Sequence, residues 1–230
     1  KRLAPHIIDT VYVLHDCVND GKEILFEGAN ACLLDIDHGT FPYVTSSNCS
    51  ALGIHAGTGL PGKYMNKVVG IMKAYSTRVG GGPFPSEELG EKGEQIRDRG
   101  NEYGTTTGRP RRCGWLDLVA VKYSTMICGT TSIACMLLDV LSGFEELKIC
   151  VAYELEDGTR SARFIPDAKQ LATAKPIFEI LPGWSEEIVD ITSPEDLPVN
   201  AKAYLDFISK YLDLPISIVS VGPKRSQTVI

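Results

Sequence analysis

The sequence is short of the features that mark several large protein classes. Its 230 residues contain only four histidines and two tryptophans, and none of its seven cysteines (17, 32, 49, 113, 128, 135 and 150) stands in a C-x-x-C pair. Scattered and odd in number, these thiols suit neither a zinc site nor a disulfide framework, so a reducing compartment, the cytoplasm, is expected. Long apolar runs are missing too: Ala134 to Leu138 stops at Asp139, and no segment reaches the length of a bilayer-spanning helix. Positive charge is in deficit. A net charge of −6 argues against coating nucleic acid or anionic membrane through the overall field, and leaves room for a local basic pocket. Neither repeats nor a low-complexity tract nor a clear linker interrupts the chain, which is expected to form one domain over 1–230. Lys1 to Pro5 leads into polar helical sequence and not an apolar signal core. With no initiator methionine, the chain reads as a piece of something longer. What is present, 43% hydrophobic and 23% charged residues, is ordinary globular usage.

Ile7, Ile8, Val11, Leu14 and Val18 recur at helical spacing, which predicts an amphipathic helix over 5–20 stopped by Gly21. Ile24-Leu25-Phe26 reads as a short buried strand broken by Gly28. Residues 28–62, rich in Gly, Ser, Thr and Asn, read as long functional loops. A strand over 68–75, a rigid loop at 80–85, a helix over 87–99 and a polar loop over 100–114 follow. A helix over 115–127 then leads to a strand ending at Leu138-Asp139. Asp157-Gly158 between 147–155 and 159–165 is a hairpin signal. A helix at 198–212 and a strand at 216–221 complete an α/β pattern, with a mostly parallel central sheet, flanking helices and antiparallel additions. Trp115 and Trp184 read as core aromatics.

The densest chemical signal is Thr105-Thr106-Thr107-Gly108-Arg109-Pro110-Arg111-Arg112, in which hydroxyls, a glycine and three guanidiniums suit a phosphate or carboxylate. A solvated basic loop is the bland reading. Asn30, in Glu27-Gly28-Ala29-Asn30 after the expected strand, could read a base edge, hold a phosphate oxygen or simply turn the chain. Asp35, Asp37 and His38 could be imagined as metal ligands, but no other histidine has metal-site spacing, and carboxylates bonded to loop amides are the better reading. Thr45-Ser46-Ser47 suits phosphate contact or is ordinary loop polarity. Gly57 to Lys63 mimics a phosphate-binding loop, yet Tyr64 replaces its hydroxyl and no apolar strand precedes it. Gly80-Gly81-Gly82 runs into prolines rather than a helix start. Asp139 at a strand's end could accept from guanine or merely cap a turn.

Taken in order, FEGANACLLDIDHGTFPYVTSSN (26–48), KAYSTRVGGGPFP (73–85), GNEYGTTTGRPRRCGWLDLVAVKYS (100–124), LPGW (181–184) and VGP (221–223) resemble adenylosuccinate synthetases across essentially the whole chain. The resemblance implies the C-terminal half of a fold similar to P-loop NTPases. The implied reaction is a ligation in which GTP phosphorylates the 6-oxygen of IMP and the amine of L-aspartate displaces phosphate to give adenylosuccinate. By the same resemblance, Asn30, Thr45, Val79 and Arg109 would contact IMP. Thr105, Thr106, Thr107, Gly108, Arg109, Pro110 and Arg111 would form the mobile loop that closes on aspartate. GTP would be met by Arg111, Leu137, Leu138, Asp139, Ser220, Val221 and Gly222.

Two departures qualify it. Where the family has Thr-Lys-Leu-Asp at its guanine motif, this chain has Met136-Leu137-Leu138-Asp139, losing a charge and hydrogen bonding worth about 1–2 kcal/mol. The family's phosphate loop, catalytic Asp and His and magnesium ligands lie in an N-terminal half that nothing in 1–230 matches. No catalytic or metal residue is therefore expected here, Mg2+ would be held mainly by the missing half, and the isolated chain is expected to be inactive. The intact enzyme is expected to be a homodimer, with small-molecule partners and neither nucleic acid nor membrane. A truncated, non-catalytic nucleotide-binding relative is the alternative.

Overall fold

The computed structural model describes residues 1–105 and 108–229. Six α-helices are found among them: α1 (Thr10–Asn19), α2 (Leu52–Thr58), α3 (Glu91–Arg99), α4 (Leu118–Cys128), α5 (Ala168–Thr173) and α6 (Val199–Leu212). The strands are β1 (Val69–Lys73), β2 (Ser76–Arg78), β3 (Arg112–Gly114), β4 (Leu116–Asp117), β5 (Ser132–Met136), β6 (Glu146–Glu154), β7 (Arg160–Ser161), β8 (Lys175–Pro182), β9 (Ile216–Ser220) and β10 (Thr228–Val229).

One sheet runs β1-β5-β9-β10, its first three strands parallel and β10 antiparallel. Val69 faces Ser132 in register and Cys135 faces Val219, so the carboxyl ends of β1, β5 and β9 emerge on one side. A second sheet is built around β6, with β4 parallel to it and β7 and β8 antiparallel; β2 and β3 form a separate antiparallel pair. The long apolar face of α6 (Ala201, Tyr204, Leu205, Ile208, Leu212) is buried in a core shared with β5, β6 and the two tryptophans. Each fully buried aliphatic side chain there contributes roughly 1.5–3 kcal/mol. Two caps set the limits of α4: Asp117 accepts from the Ala120 amide at its start, and Gly129, at φ +60°, ends it in a left-handed turn. The expected hairpin is present, with Gly158 at φ +81°, although its second strand extends only over β7.

The structure corrects three local expectations and adds one strand. Ile24-Leu25-Phe26 is not a strand: among the described residues no strand pairs with it, and Leu25, expected to be buried, is 93% exposed. Helix does not begin at 115, because β3 and β4 take up 112–117 before Asp117 caps α4. β5 ends at Met136, and Leu138–Leu141 is a 3-10 turn entered through Leu137 in a left-handed conformation, φ +63°. The strand β8, hidden by prolines at both ends, had no counterpart in the sequence reading.

The first third of the chain is open. Leu3, Ile7, Ile8, Tyr12 and Leu25 are exposed, and the edge strand β1 presents Ile71 outward. Among the described residues no helix is long and apolar enough to cross a membrane.

Candidate functional site

Asp35 shapes the first ligand-facing loop. It is fully buried, and its two oxygens accept from the amides of Asp37 (2.9 Å), His38 (3.0 Å), Cys49 (2.6 Å) and Ser50 (3.1 Å). Burial pushes its carboxyl up, but these four amides outweigh that and hold it at about 2. Asp37 accepts from the side chain of Asn48 at 2.6 Å. Asp35 thus acts on the loop backbone, as the sequence suggested, whereas Asp37 holds the side chain of Asn48.

The folded loop brings together residues far apart in sequence. Asn30, Leu34, Tyr43, Val44, Thr45, Val79 and Gly81 line a cleft of about 270 Å³. The Thr45 amide donates to Leu34 O (2.8 Å), fixing one wall, and the Thr45 and Ser47 hydroxyls are 3.0 Å apart. The opposite wall is the triglycine loop. Arg78 Nε donates to Gly81 O (2.9 Å) and Arg112 donates to Gly82 O (2.7 Å), so two guanidiniums set the path of 80–82. The look-alike segment at 57–64 begins in the last turn of helix α2, not after a strand, and His55 Nδ1 lies 3.1 Å from Leu60 O.

The basic loop divides its three arginines among different tasks. Arg112 forms a two-pronged pair with Glu87, and so belongs to the scaffold. Arg111 donates to Glu102 Oε2 (2.7 Å), while its carbonyl accepts from Arg97 Nε (2.9 Å). Arg109 is exposed, with its carbonyl accepting from the Gly104 amide (2.9 Å), and Gly108 sits at φ +63°. Thr105 and Pro110 are also exposed, and Thr106 and Thr107 lie outside the described residues.

Glu102 is the functional-looking residue that sequence reasoning missed. Only 1% exposed, it pairs with Lys73 and Arg111 and accepts from the Tyr75 hydroxyl at 2.6 Å. Burial would raise its carboxyl, yet Lys73, Tyr75 and Arg111 together hold it below its ordinary value. It thereby ties the basic loop to the carboxyl end of β1. The available signal was a single acidic residue opening a basic loop, which reads as a surface charge until its depth is known.

At the carboxyl ends of the neighbouring strands stand the remaining expected residues. Leu138 is buried, Leu137 partly so, and Asp139 follows on the 3-10 turn. Asp139 Oδ1 is buried and finds no hydrogen-bond partner among the described residues. Burial pushes its carboxyl up despite nearby Arg99, whose guanidinium donates to Asp139 O (3.2 Å) and pairs with Glu187. At the end of β9, Ser220 and the following Val221 are buried, Ser220 Oγ donates to Gly222 O (2.9 Å), and the Val221 amide donates to Gln227 O. An orphan acceptor beside a backbone ledge, at the carboxyl ends of parallel strands, suits a planar ligand carrying N–H donors.

Comparison with known proteins agrees on one family. The family model described as adenylosuccinate synthetase matches residues 1–229. The adenylosuccinate synthetase of Alkaliphilus metalliredigens is 52% identical over 230 residues, covering all of this chain and 54% of that protein. The one from Komagataella phaffii is 50% identical, covering 98% of this chain and 52% of its own length. The fully ligated adenylosuccinate synthetase from Plasmodium falciparum superimposes with a TM-score of 0.96 at 41% identity, over 99% of this chain and 55% of that one. A cyanophage S-2L succinoaminodeoxyadenylate synthetase, bound to dGMP and dATP as an energy donor, shares the fold alone, with a TM-score of 0.57 at 18% identity. The chain spans about half the length of the relatives it matches.

Proposed function

Because the chain belongs to the adenylosuccinate synthetase family, we propose that it supplies the IMP-, aspartate- and guanine-facing portion of a GTP-dependent ligase of purine and AMP biosynthesis. The observation that carries this reading is the convergence of Asn30, Thr45 and Val79 on one cleft, although they come from three separate segments. Here IMP would lie with Asn30 and Thr45 hydrogen-bonding to it and Val79 against its apolar surface. Arg109 would clamp the aspartate carboxylate and reach toward IMP, while Arg111, already drawn in by Glu102, would face the GTP phosphates. The partnerless oxygen of Asp139 supports a guanine reading, since N1–H and the 2-amino group would supply its missing donors.

Magnesium, when bound, would neutralise charge on the transferring phosphoryl group. Its protein ligands would come mainly from the part of the complete protein outside this chain. A cytoplasmic homodimer is the form we propose for that protein, with one domain over 1–230 as its C-terminal portion. The phosphoryl-transfer and acid–base groups would lie outside this chain, and the chain alone would be inactive.

The test is turnover of the complete protein with Arg109→Ala. Loss of a charge-assisted clamp in a closed site should lower kcat/KM by at least about a hundredfold. A change within about threefold would remove Arg109 from the clamp. Leu137, standing where the family carries lysine, favours a second reading, a nucleotide-binding relative without catalysis. A complete protein that is thermally stabilised by IMP and forms no adenylosuccinate would establish it.

A further inference from the structure

Outside the proposed site the seven cysteines are not equivalent. Cys113, Cys135 and Cys150 are buried, whereas Cys17, Cys32, Cys49 and Cys128 are at least partly accessible. Of these, Cys32 and Cys128 bring their sulfurs within 3.8 Å, although 96 positions separate them. Cys32 opens the 3-10 turn Cys32–Leu34, directly after Asn30-Ala31, and Cys128 is the last residue of α4, before the left-handed Gly129. Turn and helix end are packed together, so the encounter is built into the fold and does not depend on a flexible tail. The two thiols also differ. The hydrogen bond between them pushes Cys128 down, and that bond together with burial pushes Cys32 up.

We propose that Cys32 and Cys128 form a reversible disulfide site, with Cys128 as the attacking sulfur and Cys32 as the resolving one. The co-reactant is a small disulfide such as oxidised glutathione. The Cys128 thiolate attacks one of its sulfurs, one glutathione leaves as thiolate and takes up a proton, and Cys128 is left as a mixed disulfide. The sulfur of Cys32, losing its proton, then attacks Cys128 Sγ and expels the second glutathione. In balance, two protein thiols and one small disulfide give one protein disulfide and two small thiols. The sulfurs need to close only from 3.8 Å to the ~2 Å of a bond. Because Leu34 lines the cleft and Asn30 stands two residues before Cys32, the bond would tether one wall of that cleft to α4.

The experiment is to incubate the intact native protein with oxidised glutathione at neutral pH, block free thiols, and map disulfide-linked peptides without reduction. A Cys32–Cys128 linkage that exceeds every other pair by at least about tenfold, and disappears with dithiothreitol, is expected. C128S should abolish the linkage, and C32S should leave Cys128 as a persistent glutathione adduct. Should the native wild-type protein yield no Cys32–Cys128 linkage, or yield it no more than other pairs, the proposal is overturned. The same holds if C32S accumulates no adduct at Cys128 while circular dichroism shows it folded.

Discussion

Two loops carry most of the candidate site, and each is organised by one buried carboxylate, but the carboxylates use opposite materials. Around Asp35 all four donors are backbone amides, fixed by the chain's own path. Around Glu102 the donors are side chains, two of them cations, and one of these, Arg111, belongs to the loop proposed to meet substrate. An amide cage sets a shape that ligands do not compete for. A cage of arginine and lysine can exchange a partner when an anion arrives. The difference separates a preformed wall from a part suited to changing hands.

The comparison breaks first at Glu102. Glu102→Ala leaves Lys73 and Arg111 without their shared counter-charge and should cost about 3–5 kcal/mol in urea unfolding. A loss below about 1 kcal/mol would mean the cluster is solvated and not a hub. Asp35→Asn should cost about 2–3 kcal/mol near neutrality, since an amide cannot accept on both sides. Its pH dependence sharpens the contrast. Asp35 is held at about 2, below its unfolded value of 3.8, so its ionised form adds stability above 3.8 that is lost as pH falls through about 2. The gap between wild type and variant should therefore narrow in acid; a gap that stays constant down to pH 2 would refute the amide-cage account.

A third buried carboxylate shows the reverse sign. Asp117 accepts from the Tyr153 hydroxyl (2.7 Å) and the Ala120 amide, and burial pushes it to about 6 despite those bonds. With the folded value above the unfolded 3.8, the folded state holds the proton more tightly. Stability then declines as pH rises from about 3.8 to about 6, by on the order of 3 kcal/mol. Comparing Asp117→Asn with wild type at pH 4 and pH 7 isolates this slope. Equal differences at both pH values would show that Asp117 titrates normally.

Part of the fold was legible in the sequence. Helices α3 and α6 and strands β1, β5 and β9 lie close to where the sequence reading put them. The failures share a cause. Ile24-Leu25-Phe26 has strand composition, but composition does not supply a hydrogen-bonding neighbour, and β8 owes its place to β6, not to its own pattern. In the site, the basic loop and the Asp35 turn could be read from residue type alone. The meeting of Asn30, Thr45 and Val79 could not, because it depends on a loop path set by four amides. There family resemblance, not spacing, had nominated the residues. Glu102 was invisible because burial is a property of the folded chain.

The parallel order β1-β5-β9 has a further meaning for how this chain acquires its structure. Val69 must find Ser132, and Ile133 must then find Ile216, before either pairing gains its sheet neighbours. Neither step can be completed by a local hairpin, so loop-closure entropy is met before the core rewards it, which slows the search. During synthesis the β5 edge that awaits β9 stays open until residues 216–220 have left the ribosome. The carboxyl-end ledge beside Asp139 therefore cannot form before β9 has joined the sheet.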